Sequence, residues 1–275
     1  MRYQSKGRIA PVLVTSLGLV MAIGGAASAE VAPPAGIDEA GKIVFCTELA
    51  YPPWEMLNPQ TQEPEGFDID IAAALANAMD VEAEHKNISF DGLIPALQAG
   101  QCDAIISGLA NKPERREVVD FVDYAVAGNA LIVRADDDAS FETLEDLSGY
   151  KVSVAVGSAL EAELNTANEA IVAAGNEPME IIALQSGTDA FQQLTAGLAD
   201  VYFGSTDQAG YFNAQRPGLL KLASPQLFSL TIGVATLKSA GDLHDAIAAA
   251  FADIRDNGGY GDILATWGFE ALAIE

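Results

Sequence analysis

The sequence predicts an α/β protein of two lobes, each a central sheet flanked by helices, joined by two extended hinge strands. Three observations predict this. Short apolar runs alternate with segments whose apolar residues recur every three or four positions, the pattern of strands linked through helices. The alternation occurs as two sets of similar size. Two apolar stretches, residues 125–131 and 227–232, lie between the sets and have no Gly/Ser-rich spacer, so they read as crossing strands.

The elements follow in order. Residues 42–46 form an apolar strand, broken by Tyr51-Pro52-Pro53-Trp54. Asp68 opens a helix with Ile71, Leu75 and Met79 on one face. A second helix covers residues 91–98 and stops at Gly100; a buried strand covers 103–107. The pattern repeats as strand 151–156, helix 159–173, strand 179–184, helix 188–196 and strand 200–204. The final helix carries the stripe Ile247, Ala250, Phe251 and Ile254 and ends at Asn257-Gly258-Gly259. Residues 31–41, rich in Pro, Ala and Gly, read as a poorly ordered lead-in. The expected organisation is a leader over residues 1–29, a first lobe from residues 30–127 and 229–275, and a second lobe from residues 128–228.

The leader has the three parts of a secretory signal peptide. Arg2, Lys6 and Arg8 precede an apolar run, and Ala27-Ser28-Ala29 supplies a small-residue cleavage site. A soluble exported protein is expected, periplasmic where the cell has two membranes. With 14 Lys+Arg against 39 Asp+Glu, the chain carries −25 and repels phosphate backbones, which argues against nucleic-acid binding. Two His and two Cys leave little for a zinc site. Cys46 is late in one strand and Cys102 at the start of another. In straight parallel neighbours they lie beyond the ~7 Å Cα limit of a disulfide, so two buried free thiols are expected.

No G-x-S-x-G and no phosphate-loop pattern is present. No triad, metal or cofactor is expected, which favours a binding protein over a hydrolase. Open parallel sheets bind ligands at their strand ends. There the sequence places Glu48, Tyr51 and Trp54; then Ser107, Gly108, Ala110 and Arg115; then Gly157 and Ser158; then Ser205 and Asp207. An Arg grips a carboxylate with paired hydrogen bonds, and a glycine-flanked turn before a helix offers N–H groups to the same anion. An aromatic face covers the remainder. Each residue alone has a plainer role, as a solvated charge or as core. Their shared position at strand ends makes the case for one cleft.

Three stretches carry a more specific resemblance. They are Tyr51-Pro-Pro-Trp-Glu55 with Gly66-Phe-Asp-Ile-Asp-Ile71; the run from Phe90 through Asp103-Ala-Ile-Ile-Ser-Gly108 to Arg115 and Phe121; and the tail around Trp267-Gly268. Together they resemble the family 3 extracytoplasmic solute-binding proteins, the amino-acid-type receptors of ABC importers. The resemblance implies a two-lobe periplasmic-binding-protein fold that closes by hinge bending on one small ligand and delivers it, as a monomer, to an inner-membrane ABC permease. It implies that Arg115 binds the ligand carboxylate, helped by Ser158. Ser107 and Gly108 offer backbone groups, Tyr51 covers the ligand, Glu48 reaches its distal end and Trp54 flanks it. Two positions depart from the family pattern. Ala110 replaces a hydroxyl, and Ser205 stands where an acid holds the α-ammonium, with Asp207 two residues on. A small amino acid or a related carboxylate is therefore the expected ligand. A cyclohexadienyl dehydratase-like enzyme on the same scaffold, with Glu48 or Asp207 as general acid, is the alternative, as is a receptor for a non-amino organic acid.

Overall fold

A computed structural model describes residue 1 and residues 31–274. The expected leader, but for Met1, lies outside the described residues. The first lobe begins with a short helix, α1 (Ala35–Ala40), where a poorly ordered lead-in was expected; it is held by Ile37, which is buried. Then come β1 (Lys42–Thr47) and a small antiparallel sheet of β2 (Ala50–Tyr51), β3 (Glu55–Leu57) and β4 (Pro64–Glu65). α2 (Phe67–Ala78), β5 (Glu82–Asn87), α3 (Leu93–Gln98), β6 (Ala104–Ile105) and α4 (Pro113–Arg116) follow.

A single long strand, β7 (Val119–Arg134), carries the chain into the second lobe. That lobe holds β8 (Lys151–Ala155), α5 (Ala159–Ala173), β9 (Glu180–Leu184), α6 (Gly187–Thr195), β10 (Val201–Ser205), α7 (Thr206–Gln215) and β11 (Leu220–Leu222). β12 (Phe228–Leu237) returns the chain, and α8 (Gly241–Asp256) and α9 (Gly259–Trp267) pack against the first lobe.

The two crossings are one antiparallel pair, from Val119 opposite Leu237 to Asn129 opposite Phe228. They join both lobes into a continuous sheet of order β5-β1-β6-β12-β7-β10-β8-β9, with β11 on β7. Within each lobe the neighbours of the first strand are parallel: β5 and β6 on β1, β9 and β10 on β8.

Alternation along the strands gives each lobe a core on both faces, as buried parallel strands require. In the first lobe Ile43, Phe45 and Ile106 face one core, and Cys46 and Ile105 face the other. In the second lobe Leu131, Val133, Val201 and Phe203 face one side, and Ile132 and Tyr202 the other. α5 shows why the local sequence suffices. Leu160, Leu164, Ala167 and Ile171 put one stripe in the core, and the Ser158 side chain caps the helix by accepting the Glu161 N–H at 3.1 Å.

The expectation of free thiols is overturned: Cys46 and Cys102 form a disulfide, with Cα atoms 5.6 Å apart. The strand-axis estimate fails because Cys102 is not on the strand. β6 starts only at Ala104. Ahead of it the Asp103 N–H donates to the Val44 carbonyl at 2.8 Å, and the Val44 N–H donates to the Asp103 carboxylate at 2.8 Å. That clamp turns the preceding residue back across β1.

Candidate functional site

A cavity of about 70 Å³ lies where the lobes meet the paired crossings. The first lobe lines it with Glu48, Tyr51, Trp54, Phe90, Gly108 and Ala110. The second lobe contributes Ser158, Ala159, Leu160 and Gly187, with Tyr202 and Gly204 of β10. Ala127, Asn129, Leu230 and Ile232 form the floor on β7 and β12.

Local structure explains why these residues converge. Tyr51 ends β2 and Trp54 lies in the turn between β2 and β3 of the small sheet, and their rings stack with centroids 6.5 Å apart. Gly108 sits just past β6 in a left-handed conformation (φ 48°), which lets the Tyr51 ring approach; a Cβ there would stand 3.3 Å from it. On the opposite side Gly187 opens α6, and a Cβ on it would collide with Tyr51 Cδ2 at 2.7 Å. The Tyr51 ring thus lies between two glycine backbones, one from each lobe.

Arg115 stands at the seam. Its Nη1 donates to the Ala110 carbonyl at 2.9 Å in its own lobe, and its Nη2 donates to the Gly157 carbonyl at 3.1 Å in the other. The guanidinium lies over the Phe90 ring, 5.5 Å from its centroid. Burial lowers its pKa to about 10, so it remains charged at neutral pH.

Of the ten residues expected at the site, the structure brings Glu48, Tyr51, Trp54, Gly108, Ala110 and Ser158 to the cavity wall and sets the others around it. Ser107 lies behind the wall: its hydroxyl accepts the Glu48 N–H at 2.9 Å and donates to Glu55 at 2.7 Å. Ser205 caps α7 by accepting the Gln208 N–H at 3.3 Å. Asp207 accepts the Trp54 indole N–H through Oδ2, its Oδ1 is buried without a partner, and it lines a separate groove with Tyr211 and Trp267.

A buried acid pair supports this wall. Asp68 accepts the Gly108 N–H at 2.6 Å and the Tyr124 hydroxyl at 2.7 Å, beside Glu55. Burial pushes the Asp68 carboxyl up to about 7 and Glu55 well above the carboxylate range, Glu55 being raised further by the charge of Asp68. Glu48 is also raised, to about 8, mainly by burial; a hydrogen bond from the Phe90 backbone opposes this, and the charges of Asp189 and Asp91 add to it. At pH 7 Glu48 is chiefly the neutral acid.

The strand-end argument missed Phe90, Asn129, Gly187 and Tyr202. The end of β9 was the available signal for Gly187, because the helix beginning there carries the same serine cap (Ser186, accepting the Asp189 N–H at 3.0 Å) as α5 and α7. Among the described residues no group of three or more His, Cys, Asp or Glu is placed to hold a metal ion, and no helix is long and apolar enough to cross a membrane.

Two α/β lobes on a shared pair of strands, meeting around one small cavity, define a two-lobed ligand-binding protein. The chain belongs to the bacterial extracellular solute-binding proteins, family 3, whose sequence pattern matches residues 43–270. It is 30% identical over 236 residues to ABC transporter arginine-binding protein 1 of Escherichia coli K12, covering 84% of this chain and 93% of that protein. It is 31% identical over 255 residues to the histidine-binding periplasmic protein of the same organism, covering 90% and 93%. Among solved structures, a mutant of ArgBP from T. maritima superposes with a TM-score of 0.77 at 30% identity, covering 86% of this chain and 98% of that one. An ancestral amino acid-binding protein, described as a precursor of cyclohexadienyl dehydratase, gives 0.74 at 27% identity, covering 84% and 97%.

Proposed function

We propose that this chain is the periplasmic receptor of an ABC importer, and that it captures a small amino acid or related carboxylate by closing its lobes on it. The carrying observation is Arg115, a charged guanidinium bonded to carbonyls of both lobes beside the cavity. Only the closed state satisfies those contacts together, so an anion held by Arg115 and the first turn of α5 shifts the population toward closure. The amino acids named for the relatives support the ligand class. We place the lobe boundaries at residues 127/128 and 228/229, on the paired crossings, and read the closed form as a monomer whose two rims meet a permease. The chain binds its ligand without converting it.

Calorimetry on the chain lacking residues 1–29 tests this, with a panel of L-amino acids, arginine and histidine included, and their carboxylate analogues. Binding by at least one member, weakened tenfold or more in Arg115→Ala, is the expected result. Equal affinity in the variant overturns the role of Arg115, and silence across the panel overturns the receptor reading.

A second reading, a dehydratase on this scaffold, is favoured by Glu48, a cavity acid that keeps its proton near neutral pH. Incubation with prephenate or arogenate separates the two: formation of an aromatic product establishes the enzyme, and an unchanged absorbance leaves the receptor.

A further inference from the structure

The cavity wall is aromatic and negatively biased. Five rings line it, those of Tyr51, Trp54, Phe90, Tyr202 and Phe203, and most of the remaining lining is alanine, leucine and isoleucine. Glu48 supplies a carboxyl, and among the described residues no Lys, Arg or His lines the cavity. Arg115 is off the wall, its guanidinium over the Phe90 ring and bonded to the Ala110 carbonyl. A second acid, Asp207, adjoins a different part of the wall without lining it. Its Oδ2 accepts the Trp54 indole N–H, and its Oδ1 is buried with no hydrogen-bond partner. Burial raises the Asp207 pKa, while hydrogen bonds from Trp54, its own backbone and Ser205 favour its charged form. That charge is felt at both tyrosines. After burial, it is the largest influence raising the phenol pKa of Tyr51 and of Tyr202, and Glu48 adds to it at Tyr202.

From this wall we infer that the cavity takes a carboxylate carrying a methylated ammonium group, with the cation seated against Trp54, Tyr51 and Tyr202. The inference rests on the receptor reading above and names the ligand class of the same site. Aromatic rings attract cations through their quadrupole. An indole that donates its N–H to a carboxylate is richer in electrons, so Asp207 strengthens Trp54 as a cation partner without touching the ligand. The unpartnered Oδ1 is a buried charge that a cation in the cavity offsets across the ring. Methyl groups on the nitrogen give the cation an apolar surface, and burying that surface against rings and aliphatic side chains is favourable in itself. A plain ammonium has the charge without the apolar area. A tert-butyl group has the area without the charge. A methylated ammonium uses both features of the wall. The two outlying charges also differ in place: the guanidinium beside Phe90 and Ala110 suits a carboxylate, and Asp207 beside Trp54 suits a cation, so the ligand is a zwitterion.

The test is calorimetry of the chain lacking residues 1–29 against two matched sets, weak members being read by competition. Each set holds a methylated ammonium, its parent amine and its uncharged carbon isostere: trimethylglycine, glycine and 3,3-dimethylbutanoate; then 3-(trimethylammonio)propanoate, β-alanine and 4,4-dimethylpentanoate. In at least one set the methylated ammonium is expected to bind more tightly than both relatives, by about tenfold or more. Asp207→Asn keeps an acceptor for Trp54 and removes the charge. It is expected to move the ratio of methylated ammonium to isostere by roughly fivefold or more toward the isostere. A parent amine or an isostere that binds as tightly as the methylated ammonium in both sets overturns the inference, as does an unmoved ratio in Asp207→Asn. If both sets are silent while an L-amino acid of the panel above binds, this inference falls and the receptor reading stands. If that panel is silent too, the receptor reading falls first.

Discussion

The indole N–H of Trp54 in the first lobe donates a hydrogen bond to the carboxylate of Asp207 in the second. This bond ties the two lobes together through a side chain that lines the cavity. It has company: the Thr188 hydroxyl donates to the Ala50 carbonyl at 2.7 Å, and Lys112 pairs with Glu163 at 2.8 Å. The closed arrangement is therefore held by contacts between the lobes as well as by anything in the cavity.

Trp54→Phe keeps the ring and removes the donor. A hydrogen bond to a charged group is worth about 1.5–3 kcal/mol net, so the closed state should lose about tenfold or more in population relative to the open one. Small-angle scattering of the ligand-free variant should show a larger radius of gyration, with a matching loss of ligand affinity. Identical scattering and affinity would show that this bond does not hold the lobes.

Gly187→Ala should act on closure through Tyr51. The new Cβ would stand 2.7 Å from Tyr51 Cδ2 in the closed form and has room when the lobes part. Overpacking of this kind costs about 1–3 kcal/mol. Ligand affinity should fall by roughly tenfold or more, while the unfolding midpoint of the ligand-free protein stays put. A fall in that midpoint equal to the affinity loss would mean that the clash is within one lobe.

Stability should decline as pH rises from about 5 to 8. The Glu48 carboxyl ionises near 4.5 when unfolded and about 8 when folded. Between those values the native state holds more protons than the unfolded one, so raising the pH favours unfolding. One such group gives a slope of up to about 1.4 kcal/mol per pH unit. Asp68, raised to about 7, adds to it in the lower part of the range. Glu48→Gln keeps the shape and cannot ionise, so denaturation midpoints across this range should vary less with pH than in the parent. Parallel curves would show that Glu48 is already ionised.

Reduction, or replacement of both cysteines by Ala, should destabilise the first lobe. The bridge spans a sequence separation of 56 residues, and closing a loop of that size contributes about 4 kcal/mol in the chain-entropy account. Denaturant unfolding with and without a thiol reductant measures it. Coincident curves would place the cross-link outside the cooperative unit.

Much of this molecule is legible in its sequence where one segment settles its own structure. α5 is read residue for residue, because Ser158 caps it and Leu160, Leu164 and Ile171 keep helical spacing. β5 escapes, since Glu82–Asn87 is an edge strand of mostly polar residues with no apolar run to mark it. The same division runs through the site. Tyr51, Trp54 and Gly108 follow strand ends and are found; Tyr202 points into the cleft from within β10, and Phe90 reaches it beneath Arg115, placements set by how the lobes meet. The disulfide escapes because a reading by strand axes takes the chain as straight, and Asp103 bends it.

The pairing of β7 with β12 constrains how cargo leaves. Ten residues of β12, Phe228 to Leu237, pair with β7 from Asn129 to Val119, with one register shift between Ile232 and Gly233, so neither crossing turns without the other. On this shared pair the halves swing apart like the covers of a book on its spine. Whatever is shut inside therefore departs by the fore-edge, in a fixed direction relative to both covers, however far they open.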